Sequence, residues 1–238
     1  MVFIKQFKRL ENLNSTIMKE NLHKLKQDFL DYWPLEKLQS INLEEYTDTK
    51  RENSFCYWLE HITRDLGSIV GGSSYKFGIY KMGDSSKTEP ATNRDNDGVY
   101  AWHTKYGLTA NDAFKCIKKL IIEIATLAEN NNINQIEKID LGDAYKWKIA
   151  FLYNDYSIIN IFKKEAIRFV ANSMFNLKQV PEDYEGLNSF MLSKKEDEDY
   201  FSYTKKLWEH YDANNSKAEE FKKWLKINNT GKSNKSSS

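Results

Sequence analysis

Cysteine is almost absent from this chain. Cys56 and Cys116 lie far apart without CxxC spacing, which implies neither a disulfide framework nor a zinc site, and both read as reduced core residues. Long apolar runs are missing too. The most apolar stretch, Ile117 to Ala128, is broken by Lys118, Lys119 and Glu123 and falls short of the roughly 20 apolar residues of a membrane span. Lys5, Lys8 and Arg9 are followed by no apolar segment, so the start does not read as a signal peptide, and the expectation is a cytoplasmic protein without a membrane partner. Nor does one sign of charge dominate. With 35 Lys and Arg against 34 Asp and Glu, the net charge is +1, which excludes a uniformly basic nucleic-acid coat but not a local patch.

What is present suits a packed domain. The 238 residues are 40% hydrophobic and 14% aromatic, enough for a substantial core, while 29% charged residues and a mean hydropathy of -0.69 predict a water-facing surface. The neutral total hides segregation. Residues 1–27 carry six Lys and Arg against two Glu, 181–200 seven acids against two Lys, and 217–238 six Lys against two Glu.

Apolar positions from Phe7 through Leu10, Leu13, Ile17, Leu22, Leu25 and Phe29 to Leu30 predict an amphipathic helix or helix pair over 5–33, closed by Trp33-Pro34. Residues 35–53 read as an irregular connector with one helical turn near Leu43 to Tyr46. Ser74 to Lys81, Val99 to His103, Lys146 to Tyr153 and Ile158 to Phe162 read as strands. Met82 to Gly98, nearly devoid of apolar residues, reads as a long mobile loop. Thr109 should cap a long helix whose apolar face is Ala113, Ile117, Leu120, Ile121, Ile124, Leu127 and Ala128. Lys163 to Met174 returns to helical spacing, and spaced aromatics beyond Pro181 predict two or three helices. The expected class is α+β, with a central sheet of roughly five strands flanked by helices. The expected divisions are a helical segment 1–33, a core domain 34–180, a helical extension 181–227 packing on it, and a Ser/Asn/Lys-rich linker 228–238.

No catalytic signature stands out. His23, His61, His103 and His210 lack metal spacing, and no GxSxG elbow occurs. Gly231-Lys232-Ser233 imitates the end of a phosphate-binding loop, but the motif needs glycine where Lys226 stands. Gly71-Gly72-Ser73-Ser74, with Lys76 beyond, offers backbone amides to a phosphate or simply turns the chain into a strand. Glu60, Asp95 and Lys76 would make a carboxylate, carboxylate and lysine set for a metal-dependent nuclease, although Asp95 falls in the expected loop. Aromatics crowd the predicted strands, among them Tyr57, Trp58, Tyr75, Tyr80, Trp102 and Trp147. Such faces serve base stacking or ordinary core packing.

The ordered segments Phe55-Cys-Tyr-Trp-Leu-Glu60, Leu66 to Tyr80 with its Gly-Gly-Ser-Ser, Tyr100-Ala-Trp102 with Tyr106-Gly107, and Lys146 to Tyr153 resemble N-terminal regions of McrB-type AAA+ GTPases from modification-dependent restriction systems. The resemblance covers about residues 34–175. It implies a domain that selects double-stranded DNA, commonly with modified cytosine, while a C-terminal GTPase module and a McrC-type nuclease subunit act on it. It implies no cofactor in this domain and no catalysis by it. Domains of this kind differ in fold, so no base-contacting residue carries over.

On that reading a flipped base would be held among Tyr57, Trp58, Tyr75, Tyr80, Trp102 and Trp147. Lys76, Arg94, Lys105 and Lys148 would contact phosphates, and Asn93 and Asn96 would reach base edges from the loop as it closes over DNA. The competing expectation is a protein-interaction or assembly module, favoured by the near-neutral charge and the acidic Glu196 to Asp199.

Overall fold

Pro34 has no N–H to donate, so the first helix stops before it. In the computed structural model, which describes residues 2–48, 52–83 and 92–233 and the side chains among them from 16 to 225, α1 (Val2–Tyr32) is one continuous helix. Phe29 and Trp33 at its end are fully buried, and the Phe29 ring meets Tyr153 edge-on at 5.5 Å. Two short helices follow: α2 (Leu35–Ser40), where only an irregular connector was expected, and α3 (Leu43–Thr47), at the helical turn expected near Leu43 to Tyr46. A reciprocal capping box starts the second: Glu45 N donates to Asn42 Oδ1 at 2.9 Å and Asn42 N to Glu45 Oε2 at 3.0 Å.

Helix α4 (Phe55–Tyr57) passes into a π-turn over Trp58–Ile62, in which Thr63 N donates to Trp58 O at 2.9 Å. A 3₁₀ turn over Arg64–Leu66 ends at Gly67. A Cβ there would lie 2.4 Å from the Asn160 carbonyl oxygen at a φ of +105°, so only glycine fits.

The sheet has three strands, β1 (Ile79–Lys81), β2 (Arg94–Asn96) and β3 (Tyr100–His103), antiparallel in the order β1-β3-β2. The α+β class holds, but five strands are not found among the described residues. Ser74 to Phe77 is a 3₁₀ turn with only Ile79 onward in the sheet, and Ile158 to Phe162 forms no strand. Lys146 to Tyr153 belongs to a helix, α7 (Asp143–Tyr153), whose residues from Tyr145 on are all buried. A segment buried on every side shows no periodicity, and its aromatic and branched residues mimic a strand. The expected loop is also shorter than read. Residues 84–91 lie outside the described residues, while Arg94 to Asn96 pair with β3.

Helix α5 (Ala110–Glu129) begins as anticipated, with Asp112 N donating to Thr109 Oγ1 at 3.2 Å. Its buried face is Ala110, Ala113, Phe114, Ile117, Ile121, Ile124, Ala125 and Ala128, with Leu120 and Leu127 at the margin. It packs mainly on α7, and the short α6 (Ile133–Glu137) returns the chain between them. Of the cysteines, Cys56 is buried in the core but Cys116 is only half-buried.

The chain divides into two compact units, 1–162 and 163–238. Helix α8 (Lys164–Phe175) packs on α9 (Tyr184–Ser193), α10 (Tyr200–Ala213) and α11 (Asn215–Ser233), so the break falls at residue 163 and not near 181. Asp183 and Asp199 cap α9 and α10, accepting from Gly186 N at 2.6 Å and Ser202 N at 2.9 Å. Most of the expected linker from Asn228 lies in α11, which runs to Ser233; 234–238 lie outside the described residues. Among the described residues no helix is long and apolar enough to cross a membrane.

One buried charge gives the N-terminal unit a pH signature. The Lys26 ammonium sits 4.5 Å from the Tyr156 ring centroid and donates to the Asn154 carbonyl. Burial lowers its pKa to about 8, with Asp155 opposing. Below that value both folded and unfolded chains hold the proton, and the folded chain bears the cost of burying it. Between about 8 and the ordinary 10.5 the folded amine loses its proton first, so its contribution to stability rises with pH. Urea unfolding of wild type and Lys26→Met is therefore expected to give a stability difference that shifts in favour of wild type between about pH 7 and pH 9.5. An identical difference at both values would refute the assignment.

Candidate functional site

Register decides which side chains of the sheet face outward. Arg94 is opposite His103, Asn96 opposite Ala101, and Ala101 opposite Tyr80, so these residues share one face. The other face carries Ile79 and Trp102, which are buried. Trp102 spends its indole N–H on the Gly107 carbonyl at 3.0 Å.

Two 3₁₀ turns frame the outward face. Ser73 caps the first, accepting from Tyr75 N at 3.3 Å, and this turn lays Tyr75 against the sheet. Its ring lies 5.0 Å from both Tyr80 and His103, and the Arg94 guanidinium sits 4.0 Å from its centroid. The second, Thr104–Tyr106, continues β3 and brings in Lys105, whose ammonium is 4.8 Å from the Tyr106 centroid. Between them opens a groove of about 1150 Å³. Ser73, Thr92, Asn93 and Thr104 add polar groups, and no carboxylate lines the groove among the described residues. Asp140 stands nearby, paired with Lys105 at 2.7 Å with both side chains well exposed, so solvent screens that pair strongly.

Lys76 lines the groove but is already engaged. Its ammonium donates to the Glu60 carboxylate, to Ile69 O at 2.8 Å and to Gly71 O at 3.0 Å, which uses its three donors. The glycine turn thus directs a carbonyl at a lysine, the reverse of a phosphate cradle. The same pair brings together Glu60 and Lys76, two of the three residues of the carboxylate, carboxylate and lysine set. Asp95 projects from the sheet face opposite Arg94 and accepts from Asn96 N at 2.8 Å. No cluster of three or more His, Cys, Asp or Glu suited to a metal occurs among the described residues.

Of the residues singled out from sequence, Tyr75, Lys76, Asn93, Arg94 and Lys105 line one groove, with Tyr80 packed behind Tyr75. Asn96 instead secures the β2–β3 turn, accepting from Gly98 N at 3.2 Å. Trp58 is stacked on Tyr32, centroids 4.8 Å apart, and Tyr57 lies against His61 at 4.7 Å, both away from the groove lining. Trp102, Trp147 and Lys148 are buried, so the ligand roles expected of them are corrected to core roles. Sequence reasoning undervalued Tyr106 and the hydroxyls of Ser73, Thr92 and Thr104. The alternation of Ala101 and His103 in β3 was the one available signal for this face.

Electrostatics favour an anion in this groove. Burial lowers the His103 pKa below the usual 6.5; the Asn93 carbonyl opposes that shift, and Arg94 and Lys105 add to it. Burial beside Tyr75 pushes the Tyr80 hydroxyl up to about 12. The groove at neutral pH therefore presents a neutral imidazole between two cations. An NMR titration is expected to place the His103 midpoint below 6.5 and to move it upward in Arg94→Gln; an unmoved midpoint would exclude Arg94 as a cause of the shift.

No family model matches the chain, nor does any curated protein or solved structure.

Proposed function

We propose that the N-terminal unit is a DNA-recognition domain and that the groove over the outward sheet face is its contact surface. One observation carries this reading: Arg94 and Lys105 flank the aromatic faces of Tyr75 and Tyr106 in a groove lined by no carboxylate among the described residues. Arginine and lysine so placed contact phosphates, while the Asn93 amide and the Thr92 and Thr104 hydroxyls have donors and acceptors suited to sugar or base edges. A base turned out of the stack would lie against Tyr75, since Trp102 and Trp147 are buried.

The resemblance to McrB-type N-terminal regions supports double-stranded DNA as the partner, with cytosine modification as the feature read. On that reading the domain works in the cytoplasm without a cofactor of its own. Hydrolysis and cleavage belong to a C-terminal AAA+ GTPase module and a McrC-type nuclease subunit.

Gel shifts of the full chain on unmodified and cytosine-modified duplexes at two salt concentrations test the proposal. Arg94→Gln and Lys105→Gln are each expected to weaken binding several-fold and to reduce the salt slope by about 0.9 for each phosphate no longer neutralised. Absence of binding on every duplex at low salt would defeat the reading.

A further inference from the structure

The C-terminal unit contains a second groove, of about 860 Å³, between α8, α11 and the connecting segment 178–182. Its cations are Arg168 on α8 and Lys178 on the connector, and Glu182 is the one carboxylate among its described lining residues. The Arg168 Nε is buried with no hydrogen-bond partner. A buried N–H in that condition is costly in isolation, and an anionic acceptor placed against the guanidinium would satisfy it.

The opposite wall is aromatic. Trp224 is 56% exposed, and its ring lies nearly parallel to that of Phe221, with centroids 5.9 Å apart and planes at 17°. Phe221 in turn packs edge-on against Phe169 of α8 at 5.9 Å. The indole is thus backed by a ring anchored in the helical core. A flat face held this way beside two cations suits a ligand with alternating planar and anionic groups.

From this juxtaposition we propose that the C-terminal unit binds an unpaired nucleic-acid strand, with a base stacked on Trp224 and the adjacent phosphates at Arg168 and Lys178. Stacking needs no hydrogen-bond readout, so this contact tolerates any sequence. The lining cations outnumber Glu182, which favours a polyanion over a peptide of mixed charge. This site is separate from the sheet groove and requires neither duplex binding nor modification readout there.

Fluorescence anisotropy of the full chain with a labelled oligothymidylate of about 12 nucleotides, a length within single-strand site sizes, tests it. Trp224→Ala is expected to weaken strand binding about 10-fold, and Trp224→Phe to recover most of the affinity, because the ring face is retained. Lys178→Gln should lower affinity and flatten the salt dependence. Trp224→Ala should weaken strand binding while leaving duplex binding and its salt slope unchanged, so the two sites fail independently. Trp224 and Lys178 are exposed, and unchanged circular-dichroism melting of their variants would exclude misfolding as the cause. Failure of the strand to bind at low salt, or wild-type affinity in both Trp224→Ala and Lys178→Gln, would overturn the proposal. Binding of an oligoglutamate peptide that depends on Trp224 while the strand does not bind would overturn it in favour of a peptide groove.

Discussion

The N-terminal unit depends on the burial of α7 from all sides. Its buried residues include Lys146 and Lys148, and an ammonium can remain in a core only if its donors are satisfied. Lys148 donates to the carbonyls of Thr63 at 2.6 Å and Gly67 at 2.7 Å. Lys146 donates to Glu137 and Ile139, both at 3.1 Å, with Asp143 at 3.3 Å. Lys148 therefore ties α7 to a turn far from it in sequence, and Lys146 ties it to the segment just before it. Burial drives the Lys148 pKa well below its ordinary value, with Asp65 opposing, and the two carbonyls satisfy the amine where water does not reach.

Those ties reach the groove. The turn anchored at Gly67 leads into the loop whose carbonyls engage Lys76, and Lys76 belongs to the 3₁₀ turn that carries Tyr75. A buried hydroxyl network holds the same turn from beneath. Tyr145 of α7 donates to Tyr46, and Tyr46 donates to the Phe77 carbonyl at 2.6 Å. Burial pushes the ionisation of both phenols well above the ordinary range, so the network stays neutral and keeps its donors. The position of Tyr75 thus rests on the core through a lysine on one side and two tyrosines on the other, which preorganises a surface for a ligand.

Both units line a groove with aromatic rings beside arginine or lysine, but they build that combination differently. In the N-terminal unit, cross-strand register brings His103 opposite Arg94. In the C-terminal unit, helical spacing puts Phe221 and Trp224 on one side of α11. The near-zero net charge of the chain obscures both, because among the described residues the acids lie outside these grooves except for Glu182. The proposal of a nucleic-acid partner for each groove rests on local arrangement and not on net charge.

The sequence alone determined the elements whose signals are local. The Trp33-Pro34 stop, the Thr109 cap, the apolar stripe of α5, the strand from Tyr100 to His103 and the helices beyond Pro181 all follow from backbone chemistry or from one buried face. Five of the candidate ligand residues, Tyr75, Lys76, Asn93, Arg94 and Lys105, also proved to share one groove. Tertiary structure decided the rest. Lys146 to Tyr153 is helical because neighbours cover every side of it, and complete burial erases the periodicity that separates helix from strand. The same residue types serve core and surface, so only packing could bury Trp102, Trp147 and Lys148 and leave Tyr75 and Arg94 outward. A side chain's neighbours across more than a hundred residues, such as Trp33 accepting through its carbonyl from Tyr153 at 2.6 Å, leave no mark in local spacing.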